Sequence, residues 1–182
     1  MAELIDFEGR SPRIDPAAFV APGAKLIGDV EVGPEASIWY NCVLRGDMNK
    51  IRIGARSNVQ DGTIIHVDPP RPAGPPEGYP CLIGVDVLIG HVAMIHGCIL
   101  EDRAFVGLGA IVMDGCVVEG DAMLAAGSLL TPGKRVPSGQ LWAGRPARFV
   151  RDLSEADIAG MRMGPVHYME LAKRHAAALS GR

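Results

Sequence analysis

Aliphatic residues recur every six positions along most of this chain. The first series consists of Val20, Leu26, Val32, Ile38 and Leu44. After two interruptions and a shift of one residue, the longest series runs from Leu100 to Val136. An amphipathic helix repeats near 3.6 residues and a half-exposed strand repeats every two, so neither explains a period of six. This period predicts a parallel β-helix built from hexapeptide repeats.

Two segments depart from the repeat. Residues 68–80 are rich in proline and glycine, which predicts a loop inserted at one corner of the coil. From Ser154 onward, apolar residues recur at intervals of three and four residues, and the segment begins with a sequence that resembles a capping box. We therefore predict an amphipathic helix. The pair Gly164–Pro165 predicts a break or kink in that helix. The expected organisation is a β-helix over residues 1–150 and a helical tail over 151–182 that packs on it.

Composition and charge exclude several functional classes. Hydrophobic residues make up 48% of the chain and aromatic residues 5%, which indicates an aliphatic core. The net charge is -3 and the basic residues are scattered, so we expect no nucleic-acid partner. Apolar runs are too short to span a membrane, and the first ten residues carry acids in place of an apolar signal segment. We therefore expect a cytoplasmic protein that acts on a small molecule.

Two of the five histidines occupy the same slot of the repeat. His66 and His96 each follow an aliphatic repeat position directly and are thirty residues apart. Without the twelve residues 69–80, eighteen residues separate them, which is three six-residue units. A three-sided coil returns to the same edge after three units, so the two histidines are predicted to stack about 4.8 Å apart. Arg45 occupies the same column.

His91 occupies a different slot, five residues before His96 and on the preceding side of the coil. Five extended residues span up to about 16 Å, whereas zinc–nitrogen bonds measure about 2 Å. We therefore predict that His91 reaches the metal of His66 and His96 only from a neighbouring copy, and a three-sided prism suggests a trimer. Three imidazoles without a fourth protein ligand suit an open catalytic zinc site, and Fe²⁺ or Co²⁺ could replace zinc.

The ordered motifs resemble the γ-class carbonic anhydrases. The matching segments are RGD at 45–47, IGARSNVQDG at 53–62, His66, IGH at 89–91, IHGC at 95–98, GQLWAGRPAR at 139–148 and HYMELAKRH at 167–175. The resemblance implies a left-handed parallel β-helix and a homotrimer. It also implies that His66 and His96 of one subunit bind the metal together with His91 of the next.

The resemblance implies roles for other residues as well. Gln60 matches the residue that orients the metal-bound water or hydroxide, Asn58 matches a polar neighbour of the site, and Tyr168 matches an aromatic residue of the tail helix near it. The family positions that form ion pairs across the subunit interface are occupied by Arg45, Asp47 and Asp61.

The chain departs from the fully active family prototype in its proton-transfer groups. The prototype's acidic loop is replaced by the proline-rich loop, whose only acids are Asp68 and Glu77, and this leaves Glu77 as the loop candidate for proton transfer. A second active-site glutamate of the prototype corresponds to a position near Met48 of this chain. An asparagine common in the tail motif is replaced near His167.

The predicted activity is that of a zinc-dependent lyase, which hydrates CO₂ reversibly to bicarbonate with a metal-bound hydroxide at a trimer interface. One alternative is a metal-dependent thioesterase of small acyl-CoA substrates, and another is a metal-binding scaffold with little catalysis. An acyl-CoA transferase that uses a single histidine as its base would not require His66 and His96 in one column.

Overall fold

The computed structural model describes residues 1–72 and 74–181, which form a parallel β-solenoid of about eight turns followed by one helix. The hexapeptide prediction is confirmed. The strands of the described residues are β1 Glu3–Ile5, β2 Arg13–Ile14, β3 Phe19–Val20, β4 Lys25–Val32, β5 Ser37–Ile38, β6 Val43–Ile53, β7 Asn58–Val59, β8 Ile64–His66, β9 Cys81–Ile83, β10 Leu88–Ile89, β11 Met94–His96, β12 Ile99–Leu100, β13 Phe105–Val106, β14 Ile111–Val112, β15 Val117–Val118, β16 Met123–Leu124, β17 Leu129–Leu130, β18 Arg135–Val136, β19 Gln140–Gly144 and β20 Ala147–Asp152. The helix is α1, Glu155–Ser180.

The strands stack into three faces. Face 1 contains β3, β5, β7, β10, β13, β16 and β19, face 2 contains β8, β11, β14 and β17, and face 3 contains β9, β12, β15 and β18. The long strands β4 and β6 run across both face 2 and face 3. We call the corner from face 1 to face 2 the first edge, that from face 2 to face 3 the second edge, and that from face 3 to face 1 the third edge. The solenoid ends in an antiparallel hairpin of β19 and β20.

The aliphatic residues of the repeat fill the interior. Leu44, Ile65, Ile95 and Leu124 are among those with no exposed surface. Each short strand directs one of its side chains inward, and three strands complete a coil, so one aliphatic residue every six positions is enough to fill the core. The four cysteines are also buried, as free thiols: Cys42, Cys81, Cys98 and Cys116.

Helix α1 lies on face 1, where it contacts β3, β5 and β7. The predicted capping box is confirmed, because the Ser154 hydroxyl accepts the Asp157 backbone N–H (3.1 Å) and the Asp157 carboxylate accepts the Ser154 N–H (2.8 Å). In the described part of the chain, no helix has the length and apolar character needed to cross a membrane.

Of the break or kink predicted at Gly164–Pro165, the break is wrong, since α1 continues through both residues. Pro165 is buried, so its ring packs against the solenoid and offsets the helical hydrogen bond that proline cannot make. Gly164 allows the close approach of helix and solenoid, because a Cβ at this position would stand 2.5 Å from Leu88 Cδ1.

The third edge carries a ladder of alternating charges. Glu35, Arg56, Asp86, Arg103 and Asp121 stand on successive coils, all with φ between 56° and 65°. Arg56 binds Asp86 with two hydrogen bonds of 2.7 Å, and Arg103 binds Asp121 at 3.1 Å. These ion pairs connect neighbouring coils on the edge that carries none of the predicted metal ligands.

Asp121 connects this ladder of charges to the helix, because Arg162 of α1 also donates a hydrogen bond to the Asp121 carboxylate at 3.0 Å. Partial burial alone would raise the pKa of Asp121, but the hydrogen bonds from Arg162 and Arg103 outweigh it and the pKa is lowered. The ionised form therefore contributes stability above the ordinary pKa of about 4, and this contribution is lost as the pH falls through the lowered pKa of the folded state.

We expect Asp121→Asn to lower the free energy of unfolding by about 1–2 kcal/mol at neutral pH, since both arginine partners are partly exposed and screened. Urea denaturation of both proteins between pH 7 and pH 3 measures the difference. It should shrink below about pH 4, and a difference that stays constant over this range would contradict the assignment.

Candidate metal centre

His66 and His96 stack on the second edge, at the ends of β8 and β11. The two strands pair in parallel with His96 opposite His66, and Arg45 of β6 stands opposite His66 on the other side. The predicted column is therefore confirmed. The His66 Nδ1 and His96 Nε2 atoms are 3.0 Å apart. Two nitrogens bound tetrahedrally to one zinc ion are separated by about 3.3 Å, so a small outward movement of the rings would accommodate a shared ion.

Both rings direct their other nitrogen to a carboxylate. The His66 Nε2 atom lies 3.0 Å from Asp47 Oδ1, and the His96 Nδ1 atom lies 2.5 Å from Asp114 Oδ1. Carboxylate partners of this kind hold the orientation of metal-binding histidines. Burial would raise the pKa of Asp47, but hydrogen bonds from His66 and Arg45 lower it, so Asp47 is an anion at neutral pH.

Asp114 lies outside the set of residues predicted from the sequence. It stands eighteen residues after His96, but the repeat shifts by one residue between these coils, so that Ile95 pairs with Val112. Asp114 therefore falls in the turn beyond the histidine column. Counting eighteen residues forward from His96 reaches Asp114.

His91 lies on the first edge, in the turn between β10 and β11. The His91 Nδ1 atom is 2.8 Å from Asp61 Oδ2, and the other oxygen of Asp61 accepts the Tyr40 backbone N–H at 3.2 Å. The His91 Nε2 atom therefore remains available as a metal ligand, on a side chain that is 39% exposed. Within residues 1–72 and 74–181 of a single chain, no three histidine, cysteine or acidic residues are arranged to hold a metal ion.

Gln60 and Asn58 form a buried pair on face 1, next to His91. The Gln60 Nε2 donates to Asn58 Oδ1 at 3.1 Å, and the two residues are 4% and 1% exposed. This hydrogen bond leaves Gln60 Oε1 as the acceptor that the amide can offer to another group. The Asn58 Nδ2 atom is buried and has no hydrogen-bond partner in the described part of the chain.

Tyr168 reaches the same edge from α1. Its ring packs edge-on against Trp39, with ring centres 5.4 Å apart. Burial, followed by the negative charge of Asp61, raises the pKa of Tyr168. The neighbouring residue His167 is exposed, and its ring centre lies 5.7 Å from that of Tyr168.

Glu77 lies in the loop between β8 and β9. The Asn49 side chain holds this loop by donating to the Glu77 and Asp68 carbonyl oxygens at 2.8 Å and 2.9 Å. Glu77 is exposed and lines a surface cleft together with Met48 and Lys50. It makes no hydrogen bond to His66 or His96 in the described structure, and its role in proton transfer stays a prediction.

The predicted site residues thus divide between two edges of one solenoid. The second edge carries Arg45, Asp47, His66 and His96, joined by Asp114. The first edge carries Asp61 and His91, flanked by Asn58 and Gln60 of face 1 and by Tyr168 of α1. Arg45 contacts Asp47 within the chain, and the ion pairs predicted across a subunit interface stay a prediction. A site that contains all three histidines requires one edge from each of two copies.

Comparison with known proteins gives close relatives over most of the chain. A scan against models of protein families finds no match. The chain is 48% identical over 174 residues to "Gamma carbonic anhydrase 2, mitochondrial" of Arabidopsis thaliana, which covers 96% of this chain and 62% of that protein. It is 45% identical over 154 residues to "Probable carbonic anhydrase" of Methanocaldococcus jannaschii, with 85% and 92% covered. A solved hexapeptide transferase family protein from Anaplasma phagocytophilum superposes with a TM-score of 0.87 at 46% identity, covering 94% and 96%.

The fold and the histidine column define a hexapeptide-repeat solenoid with a candidate metal centre on its edges. The chain belongs to the γ-class carbonic anhydrase family, as the motifs predicted. It spans about 62% of the length of the first two plant relatives.

Proposed function

We propose that this protein is a metal-dependent lyase that interconverts CO₂ and bicarbonate at sites shared between the subunits of a homotrimer. The observation that carries this proposal is the division of three carboxylate-supported histidines between two edges of one solenoid. The γ-class family to which the chain belongs supports an enzyme with a lyase-type reaction. The relatives reported above give no support to thioester hydrolysis or to a scaffold without catalysis.

The residues fit a zinc ion. His66 and His96 of one subunit and His91 of the next would supply three neutral imidazole nitrogens and leave a fourth position open. Zinc bound there would lower the pKa of a water molecule to about 7 and so provide a nucleophile at neutral pH. The same nitrogens would also accept Fe²⁺ or Co²⁺.

Apolar exposure near His91 supports the shared site. Val92 follows His91 directly and is 66% exposed, and Leu108 on the next coil is 51% exposed. Val92 has φ of 51°, a left-handed conformation that is unfavourable for a β-branched residue. Such strain is retained where a position has a function, and a second copy that covers this patch would bury both side chains.

Gln60 is the residue that would orient the reacting water. Because its Nε2 donates to Asn58, its Oε1 is positioned to accept a hydrogen bond from that water and to direct a lone pair towards CO₂. The Asn58 amide fixes the orientation of Gln60, so the two residues act as one unit. The attack forms bicarbonate and releases one proton.

We expect Gln60→Leu to reduce kcat/KM for CO₂ hydration about 10–100-fold, equivalent to roughly 1.4–2.7 kcal/mol, without loss of zinc. Stopped-flow hydration with a pH indicator and metal analysis of the same samples measure both. Gln140→Leu, which removes a glutamine from the distant strand β19, is the matched control and should retain the wild-type rate. A wild-type protein with no hydration rate above buffer, whether loaded with zinc, iron or cobalt, would contradict the proposed function.

A further inference from the structure

We propose that Tyr79 is a positioning residue of the metal centre, because its side chain holds the Asp114 carboxylate against His96. This inference rests on the proposed function, since it names what fixes one of the histidines that would bind the metal. Tyr79 lies outside the set of residues predicted from the sequence, and it gives the proline-rich loop a role in the site.

Backbone hydrogen bonds fix Tyr79 near the end of the proline-rich loop. The Tyr79 N–H donates to the Asp68 carbonyl oxygen, and the Asp68 N–H donates to the Tyr79 carbonyl oxygen, both at 3.0 Å. Gly78 makes this close approach possible, because its φ is 67° and a Cβ at this position would stand 2.5 Å from the Asp68 carbonyl oxygen. Asn49 donates to the Asp68 and Glu77 carbonyl oxygens. Tyr79 therefore has a fixed backbone position although it belongs to a loop.

The Tyr79 side chain lies on two glycines that directly follow residues of the site. Gly97 follows His96, and Gly115 follows Asp114. A Cβ on Gly97 would stand 2.6 Å from Tyr79 Cβ, and a Cβ on Gly115 would stand 3.0 Å from Tyr79 Cε1. The Gly115 N–H donates to the Gly97 carbonyl oxygen at 2.8 Å. The ring therefore packs on the backbone of the two coils that carry the hydrogen bond between Asp114 and His96.

Tyr79 and the Asp114 carboxylate meet beside Gly97. The position of a Cβ on Gly97 would be 2.5 Å from Asp114 Oδ1 and 2.6 Å from Tyr79 Cβ. Asp114 Oδ1 is also the atom that lies 2.5 Å from His96 Nδ1. Tyr79 thus lies next to the oxygen that contacts the histidine, and it limits the movement of that oxygen towards the loop.

Asp114 depends on such a contact more than Asp47 does. The Asp47 carboxylate is bound by both His66 and Arg45, and its side chain is 11% exposed. The Asp114 side chain is 26% exposed, and among the described residues only His96 forms a hydrogen bond with it. A hydrogen bond is stronger where water is excluded. The adjacent aromatic ring excludes water from one side of the carboxylate and so does what a second bonding partner does for Asp47.

A double-mutant cycle of zinc affinity tests the assignment. We expect Asp114→Ala to weaken zinc binding by about 10–100-fold and Tyr79→Ala to weaken it by about tenfold. Because Tyr79 acts through Asp114, the double variant should bind zinc no more weakly than Asp114→Ala alone. Competition with a chromophoric chelator measures each dissociation constant in the assembled protein.

Further variants separate positioning from a general loss of structure. Tyr79→Phe keeps the ring and should bind zinc as the wild type does. Arg71→Ala removes an ion pair with Asp68 from the same loop, and it is the matched control that should retain wild-type affinity. Tyr79→Leu keeps an apolar side chain on the loop but has no ring to cover Gly115. It should also weaken zinc binding, and it carries the test if Tyr79→Ala does not fold.

A spectroscopic measurement depends on neither activity nor affinity. In zinc-loaded protein with ¹⁵N-labelled histidine, the His96 Nδ1–H should exchange slowly with water in the wild type and faster in Tyr79→Ala or Tyr79→Leu. The His66 Nε2–H, which is directed at Asp47, is the internal control and should exchange at the wild-type rate in every Tyr79 variant. A general loosening of the site would accelerate exchange at both histidines.

The outcomes separate the two proposals. Additive losses in the cycle, wild-type zinc affinity of Tyr79→Ala or Tyr79→Leu, or equal changes of exchange at both histidines would overturn the role of Tyr79 and leave the proposed function standing. A wild type that binds zinc but does not hydrate CO₂ would overturn the proposed function alone. A wild type that binds neither zinc, iron nor cobalt would overturn both.

Discussion

Replacement of His91 with alanine is expected to remove stoichiometric zinc from the assembled protein while the solenoid stays folded. His91 is one of only three protein ligands in the proposed site, so the loss of affinity should exceed the roughly 10–100-fold loss that follows removal of a ligand's hydrogen-bonding partner. The fold should tolerate the change, because His91 lies in a turn outside the core and is 39% exposed.

Zinc per chain after dialysis against a weak chelator measures this effect, and circular dichroism during heating measures the fold. His167→Ala is the matched control, since it removes an exposed histidine from the tail helix and should retain full zinc. His91→Ala protein with one zinc per chain would show that the ion does not require His91.

The second large effect is expected from Ile95→Ala. Ile95 has no exposed surface and precedes His96, so its truncation leaves a cavity in the coil that carries the second-edge column. The free energy of unfolding should fall by about 2–5 kcal/mol, a large share of the 5–15 kcal/mol typical of a domain. Because His96 is the next residue, zinc affinity should fall as well.

Ile99→Ala is the matched control for this prediction. It removes the same atoms from the same turn of the solenoid, but Ile99 is 40% exposed, so we expect a loss below about 1 kcal/mol. Urea denaturation of the metal-free proteins measures both changes. Equal losses at the two positions would contradict the assignment of Ile95 to the core.

The parts of the fold that could be predicted follow from the repeat. The inward aliphatic residues and the pairing of His66 with His96 depend only on counting units of six after the loop is removed. His91 could be assigned to another edge by the same counting, because its distance from His96 in the sequence is not a multiple of six residues.

The features that the sequence did not predict, or predicted wrongly, depend on packing or on small shifts of register. Asp114 lies beyond the histidine column because the repeat shifts by one residue in this coil. Its position in the repeat therefore does not indicate its contact with His96. Pro165 stays inside α1 because its burial against face 1 outweighs the lost hydrogen bond, and such tertiary contacts are not contained in local propensity. The bond between His91 and Asp61 depends on the pairing of adjacent coils, with β7 beside β10.

The central claim is that each metal site takes His91 from one chain and the His66–His96 column from another. Mixed trimers of a His91→Ala chain and a His66→Ala chain, carrying different tags and purified through both, test it most directly. Each mixed trimer contains one interface at which an intact His91 meets an intact column, so we predict about one zinc per mixed trimer and none in either homotrimer. Mixed trimers without zinc, formed from chains whose wild-type parent binds it, would contradict the shared site.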